Sequence, residues 1–136
     1  MVTFEDVRAI ALGLPETSER ATHGQLGWRV RGALFVWERP LRAADLQALG
    51  AAAPAGPILG ARVEDEGEKE ALIAGDPEVY FTTPHFDGYP AVLLALDRVP
   101  SDELERRIVE AWLTRAPVRV ARAFLASSEE APPADQ

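Results

Sequence analysis

Apolar positions at the start of the chain repeat at the helical period: Phe4, Val7, Ile10, Ala11 and Leu14 fall on one stripe. Thr3 followed by Asp6 has the form of a capping box, with Asp in place of the usual Glu. A helix is therefore predicted from Thr3 to about Leu12, ended by Gly13 and Pro15. Glu16 to Gly24 is polar throughout and reads as a loop. From Leu26 to Glu38 the period drops to two. Trp28 and Val30 alternate with Arg29 and Arg31, Gly32-Ala33 interrupts, and Leu34 to Trp37 follows. That pattern predicts a half-buried antiparallel β-hairpin with its arginines toward solvent.

Pro40 opens a segment, Leu41 to Leu49, whose Leu41, Ala44, Ala48 and Leu49 permit a short helix closed by Gly50. Ala51 to Pro57 contains only Ala, Pro and Gly and reads as a connector. Ile58 to Val63 is a third strand, weakened by Gly60. The acidic run Glu64 to Glu70 then feeds a helix ending near Gly75, with its acids at the N-terminal end, where the macrodipole favours them. Val79 to Thr83 is a short strand or extended edge, and Pro84 to Pro90 a turn-rich loop. Ala91 to Leu96 is almost wholly apolar, as expected of a central strand buried on both faces.

Ser101 is the expected cap of a long helix. Leu104, Ile108, Ala111 and Trp112 point inward in it, and Asp102/Arg106 and Glu103/Arg107 are spaced as ion pairs. Pro117 breaks the pattern and restarts it as a last helix from Val118 to about Ala126, burying Val120 or Ala121 with Phe124 and Leu125. The sum is a single α+β domain over residues 1–126, an antiparallel sheet of about four to five strands packed on helices in the order α-β-β-(α)-β-α-β-α-α. A disordered acidic tail is expected over 127–136.

Composition narrows the chemistry. At 136 residues and 47% hydrophobic the chain has material for one core. It has no cysteine, which removes disulfides, thiolate nucleophiles and iron–sulfur ligation. No apolar run approaches the roughly 20 residues of a membrane helix, and the acidic start is unlike a secretory signal, so no membrane partner and a cytoplasmic address are expected. Formal net charge is −8; taking the three acids of the last ten residues from the 22 leaves 19 against 14 bases. An acidic body opposes non-specific attraction to nucleic acid, leaving local basic faces as the only route to it.

Four segments in order carry a resemblance: Leu14-Pro15-Glu16-Thr17, then Gly27 to Gly32 with Leu34-Phe35, then Pro84-His85-Phe86-Asp87-Gly88-Tyr89-Pro90, and last Glu110-Ala-Trp112-Leu with Ala116-Pro117. Together, over Thr3 to Ala126, they resemble the MmcQ/YjbR family. The resemblance implies an antiparallel sheet against helices of the kind described as double-wing, and the DNA-binding label that members usually carry. One position departs from the pattern: Val118 stands where the family's Ala-Pro-Lys-Arg segment has its lysine.

His23 and His85 are the only imidazoles and share no metal-ligand spacing, so no metal site is expected. His85 has Asp87 nearby but no nucleophile beside it, and packing in the loop, with its ring hydrogen-bonded to backbone, is the simpler role. No phosphate loop, dinucleotide fingerprint or nucleophile elbow occurs, so neither a cofactor nor a catalytic residue is assigned. Arg29 and Arg31 share a strand face by alternation, and Arg115, Arg119 and Arg122 share a helical face if the helix carries through Pro117. These five are the candidate DNA contacts of a non-enzymatic DNA-binding or regulatory protein. The alternative is a protein-interaction or small-ligand module with a cleft near the Phe81 to Tyr89 loop, its candidate pocket residues being Trp28, Phe81, His85 and Tyr89.

Overall fold

The computed structural model describes residues 2–130. The chain runs α1 (Phe4–Leu12), β1 (Thr17–Thr22), β2 (Gln25–Val30), β3 (Ala33–Glu38), α2 (Ala43–Leu49), β4 (Ile58–Arg62), α3 (Glu66–Gly75), β5 (Tyr80–Phe81), β6 (Ala91–Ala95), α4 (Ser101–Arg115) and α5 (Val118–Glu130). Short 3-10 turns occupy Gly50–Ala52 and Pro84–Phe86. Six strands form one antiparallel sheet in the order β1-β2-β3-β4-β6-β5. This is the α+β arrangement that the hydrophobic pattern predicts, with one strand more than expected.

The additional strand is β1. The stretch Glu16 to Gly24, read as a loop from its polarity, pairs along its length with β2, from Thr17↔Val30 to Thr22↔Gln25. Its turn is His23-Gly24, with φ of 52° and 81°, the pair of positive values that a tight two-residue hairpin requires. Arg31-Gly32, with φ of 50° and 87°, makes the next hairpin in the same way. A polar sequence suits β1 because it is the sheet's edge and buries little.

On one face of the sheet, α1 and α4 cover a core of fully buried Trp28, Val36, Leu59, Ala61, Leu94, Leu104, Ile108 and Trp112. Even here the polar ends of the aromatics are satisfied: Trp28 Nε1 donates to Glu19 (3.0 Å) and Trp112 Nε1 to the Pro15 carbonyl (3.1 Å). At the far edge the Tyr80 hydroxyl donates to Glu103, and Arg107, 6% exposed, donates to that hydroxyl (3.3 Å) and to Glu68 (3.1 Å). On the opposite face a smaller cluster of Ile58, Phe86, Ala91, Leu93 and Ala95 lies under the 82–90 loop. There the cover lies over β4 and β6, with Phe81 of β5 and Trp37 of β3 packed at its margins, which leaves most of the β1–β3 part open.

Several local expectations are corrected. β6 is buried at every residue but lies fifth of six in the sheet rather than centrally. Pro100, not Ser101, is the N-cap of α4, and Arg106 pairs with Glu103 (3.9 Å) instead of Asp102. Leu125 is 46% exposed: Val120 and Phe124, four residues apart, take the inward face of α5, and the next residue turns about 100° away from it. α5 itself continues to Glu130, four residues beyond its expected end. Residues 131–136 of the expected tail lie outside the described residues.

Candidate functional site

The open face carries a cleft of about 450 Å3 whose floor is the sheet at Gly27, Leu34 and Trp37 and whose wall is His85, Phe86 and Tyr89 of the loop. Register fixes the floor: Gly27 pairs with Trp37 and Arg29 with Leu34, so these side chains share the face opposite Trp28. A β-bulge between Trp28 and Arg29 adjusts the two strands there. A Cβ at Gly27 would stand 2.9 Å from Leu34 Cδ1, the free end of a side chain that can turn aside. Trp37 can lie flat because its cross-strand partner is Gly60, where a Cβ would stand 2.6 Å from the indole Nε1.

The wall is held from behind. Lys69 of α3, 3% exposed, donates its ammonium to the carbonyls of Phe86 (2.7 Å) and Tyr89 (3.1 Å). Arg39, 5% exposed, stacks over the Phe86 ring at 5.2 Å and pairs with Asp45 at 3.0 Å. The same Asp45 oxygen accepts the Arg42 amide (2.8 Å) that opens α2. Burial alone would raise the Asp45 pKa, but the Arg42 amide and the hydrogen bond and charge of Arg39 outweigh it and hold the carboxyl below its ordinary value. The 82–90 loop is thereby clamped between two buried cations, one in α3 and one after β3.

Electrostatically the cleft differs from the rest of the molecule. Arg29, Arg39, Arg42, His23 and His85 line it against a single acid, Glu38, whose carboxylate accepts the Leu26 amide (2.6 Å). Arg39 is compensated by Asp45; Arg29 and Arg42 have no carboxylate partner among the described residues. Among the described residues Arg29 donates only to the Gly32 carbonyl (3.2 Å), and its buried Nε makes no hydrogen bond there.

The structure divides the residues singled out from sequence. His85 and Tyr89 line the cleft. Trp28 does not: the strand's alternation sends it, fully buried, into the helical face. Phe81 packs with the small cluster beneath the loop and is not part of the lining. His85 is exposed and meets Phe86 edge-on at 4.9 Å, with no hydrogen bond to Asp87 or to backbone among the described residues. Among the arginines, Arg29 is on the open face, whereas Arg31 sits in the turn, not on a shared strand face, and pairs with Glu16 at 2.9 Å. Arg115 ends α4 and donates to the Leu34 carbonyl (3.2 Å). Ala116 is extended (ψ 142°), so Arg119 and Arg122 belong to a separate helix and the three do not form one helical stripe. Trp37, Arg39 and Arg42 were missed as cleft residues; the Arg31-Gly32 turn alone would set Trp37 opposite Leu26 on the Trp28 face, and the bulge between Trp28 and Arg29 is what moves it to the Arg29 face.

A family model described as YjbR matches residues 12–114. Uncharacterized proteins of Mycobacterium tuberculosis and Mycobacterium bovis are 54% identical over 131 residues, covering 94% of this chain and 99% of their own. The crystal structure of a Deinococcus radiodurans protein with a DUF419 domain superposes with a TM-score of 0.65 at 18% identity, over 93% of this chain and 89% of that one. At that identity the likeness is one of fold.

Proposed function

The chain belongs to the YjbR family, and from that premise we propose that it is a binding module whose open sheet face takes up a small organic ligand. The observation that carries this reading is the cleft itself: a preformed concavity with an aromatic floor and wall, a few convergent polar groups, and a loop fixed by buried Lys69 and Arg39. Those are the usual attributes of a small-molecule site. Its volume suits a ligand of one or two rings rather than a protein segment.

The test follows from the distribution of tryptophans. Trp28 and Trp112 are fully buried, and Trp37 lines the cleft. In a proton–nitrogen correlation spectrum each indole gives its own resonance. Screening small aromatic compounds should move the Trp37 indole signal while leaving the other two in place. Tyr89→Ala, at a residue 42% exposed, should weaken whatever binds without unfolding the protein. A library that never shifts Trp37 removes the proposal.

The DNA-binding reading draws its support from Arg119 and Arg122, which are exposed and without a carboxylate partner among the described residues. Against it stand the net charge of −8, the Arg31–Glu16 pair and the break at Ala116. Fluorescence anisotropy with a labelled duplex at low ionic strength decides it: phosphate contact gives binding that falls steeply with added salt.

A further inference from the structure

Resting on the cleft reading, we infer that the ligand is an organic anion: a flat apolar body that lies on Trp37 and an acidic group that meets Arg29. The carrying observation is where this acidic protein leaves its positive charge uncompensated. Six of its arginines form ion pairs with carboxylates. Among the described residues the other seven have none, and four of those seven are in or beside the cleft. Arg29 and Arg42 line it. Arg20 pairs across β1 and β2 with Gly27 and so shares the floor's face. Arg62 lies over the Tyr89 ring at 4.9 Å and donates to its hydroxyl (3.0 Å).

Guanidinium groups left without carboxylates around an aromatic floor, in a chain of net charge −8, make a local positive potential that selects negative guests. The floor favours a planar guest through ring stacking. A guanidinium offers a carboxylate, sulfonate or phosphate charge-assisted hydrogen bonds, and among the described residues no acid pairs with Arg29 in competition. Glu38, the one lining acid, already accepts the Leu26 amide.

A matched pair of probes tests this on the full chain. 2-Naphthoate and 2-naphthamide share a ring system and differ in charge. The Trp37 indole shift should give a dissociation constant for naphthoate tighter by about tenfold or more, the scale of a charge-assisted hydrogen bond. Arg29→Met should bring naphthoate down toward naphthamide and leave naphthamide unchanged, and Arg29→Lys should restore part of the difference. Arg119→Met, on α5, should alter neither. If both probes shift Trp37 equally and Arg29→Met changes nothing, the anionic assignment is overturned while the cleft stands. If neither probe moves Trp37, the cleft reading falls with it.

Discussion

Trp37 lies across Gly60, its register partner on β4, with the indole filling the space a side chain would take. The flat floor of the cleft depends on that one missing Cβ. In sequence Gly60 reads only as a weak point in a strand; in the fold it makes room for the largest side chain of the open face. Gly60→Ala should displace the ring and cost about 1–3 kcal/mol, the range for overpacking a filled site. Urea unfolding followed by circular dichroism measures the loss, and a changed Trp37 indole resonance reports the displacement. An unchanged resonance with full stability would mean the ring does not rest on Gly60.

Lys69 should behave as a clamp. Its ammonium reaches two carbonyls of the 82–90 loop from within the protein. Lys69→Met keeps the apolar stem and removes the donors. Both carbonyls retain a backbone partner, from the Tyr89 and Ala91 amides, so the cost should be moderate, about 1–3 kcal/mol. Hydrogen exchange should localise the change: amides of residues 86–91 should lose protection while those of α4 keep theirs.

How much of this was legible beforehand follows from the range of each interaction. α1, α4 and the β2–β3 hairpin are written in local periodicity, and the buried set Leu104, Ile108, Ala111 and Trp112 follows from it directly. β1 was not legible from its apolar content because an edge strand buries almost nothing. His23-Gly24 was the only local mark of it, and it matters only when a partner strand lies on its far side. Trp28 and Trp37 show the same limit at the site. Both are aromatic residues of one hairpin, and only the cross-strand register, with its bulge, says which enters the core and which floors the cleft. Lys69 gave no signal at all, being one base in an acidic run whose partners are 17 and 20 residues away.

The Arg39–Asp45 pair should make the clamp sensitive to acid. The folded-state pKa of Asp45 is lowered, so its contribution is present above the ordinary aspartate value of about 3.9 and is lost as pH falls through the folded value. Asp45→Asn removes the charge that compensates the buried Arg39 guanidinium and leaves it neutral acceptors alone, the Pro40 carbonyl among them. At pH 7 the variant should be less stable by about 3–5 kcal/mol, the range for breaking a buried pair from one side. The gap between wild type and variant should then narrow as pH is taken below 4, because only the wild type has this increment to lose. Urea midpoints from pH 7 to pH 3 check the sign, and a gap of constant width would show that Asp45 titrates alike in the folded and unfolded chain.

At alkaline pH the corresponding group is Tyr80. Burial, and then the hydrogen bond to Glu103, push its pKa up to about 12, with Arg107 opposing them. A raised pKa means the folded state holds its proton longer than the unfolded chain does. The stabilisation is therefore complete below the unfolded value near 10 and is lost as pH rises toward the folded one, by about 2–3 kcal/mol for a shift of this size. Tyr80→Phe should be less stable than wild type at neutral pH by about 1 kcal/mol, and its stability should be flatter than the wild type's between about pH 10 and 12. The chain has two tyrosines, Tyr80 and Tyr89, so a Tyr89→Phe variant isolates the phenol of interest. Its absorbance at about 295 nm, where tyrosinate but not tyrosine absorbs, should rise only near the folded pKa. A midpoint near the free tyrosine value of about 10 would show that the Tyr80 hydroxyl is not committed to Glu103.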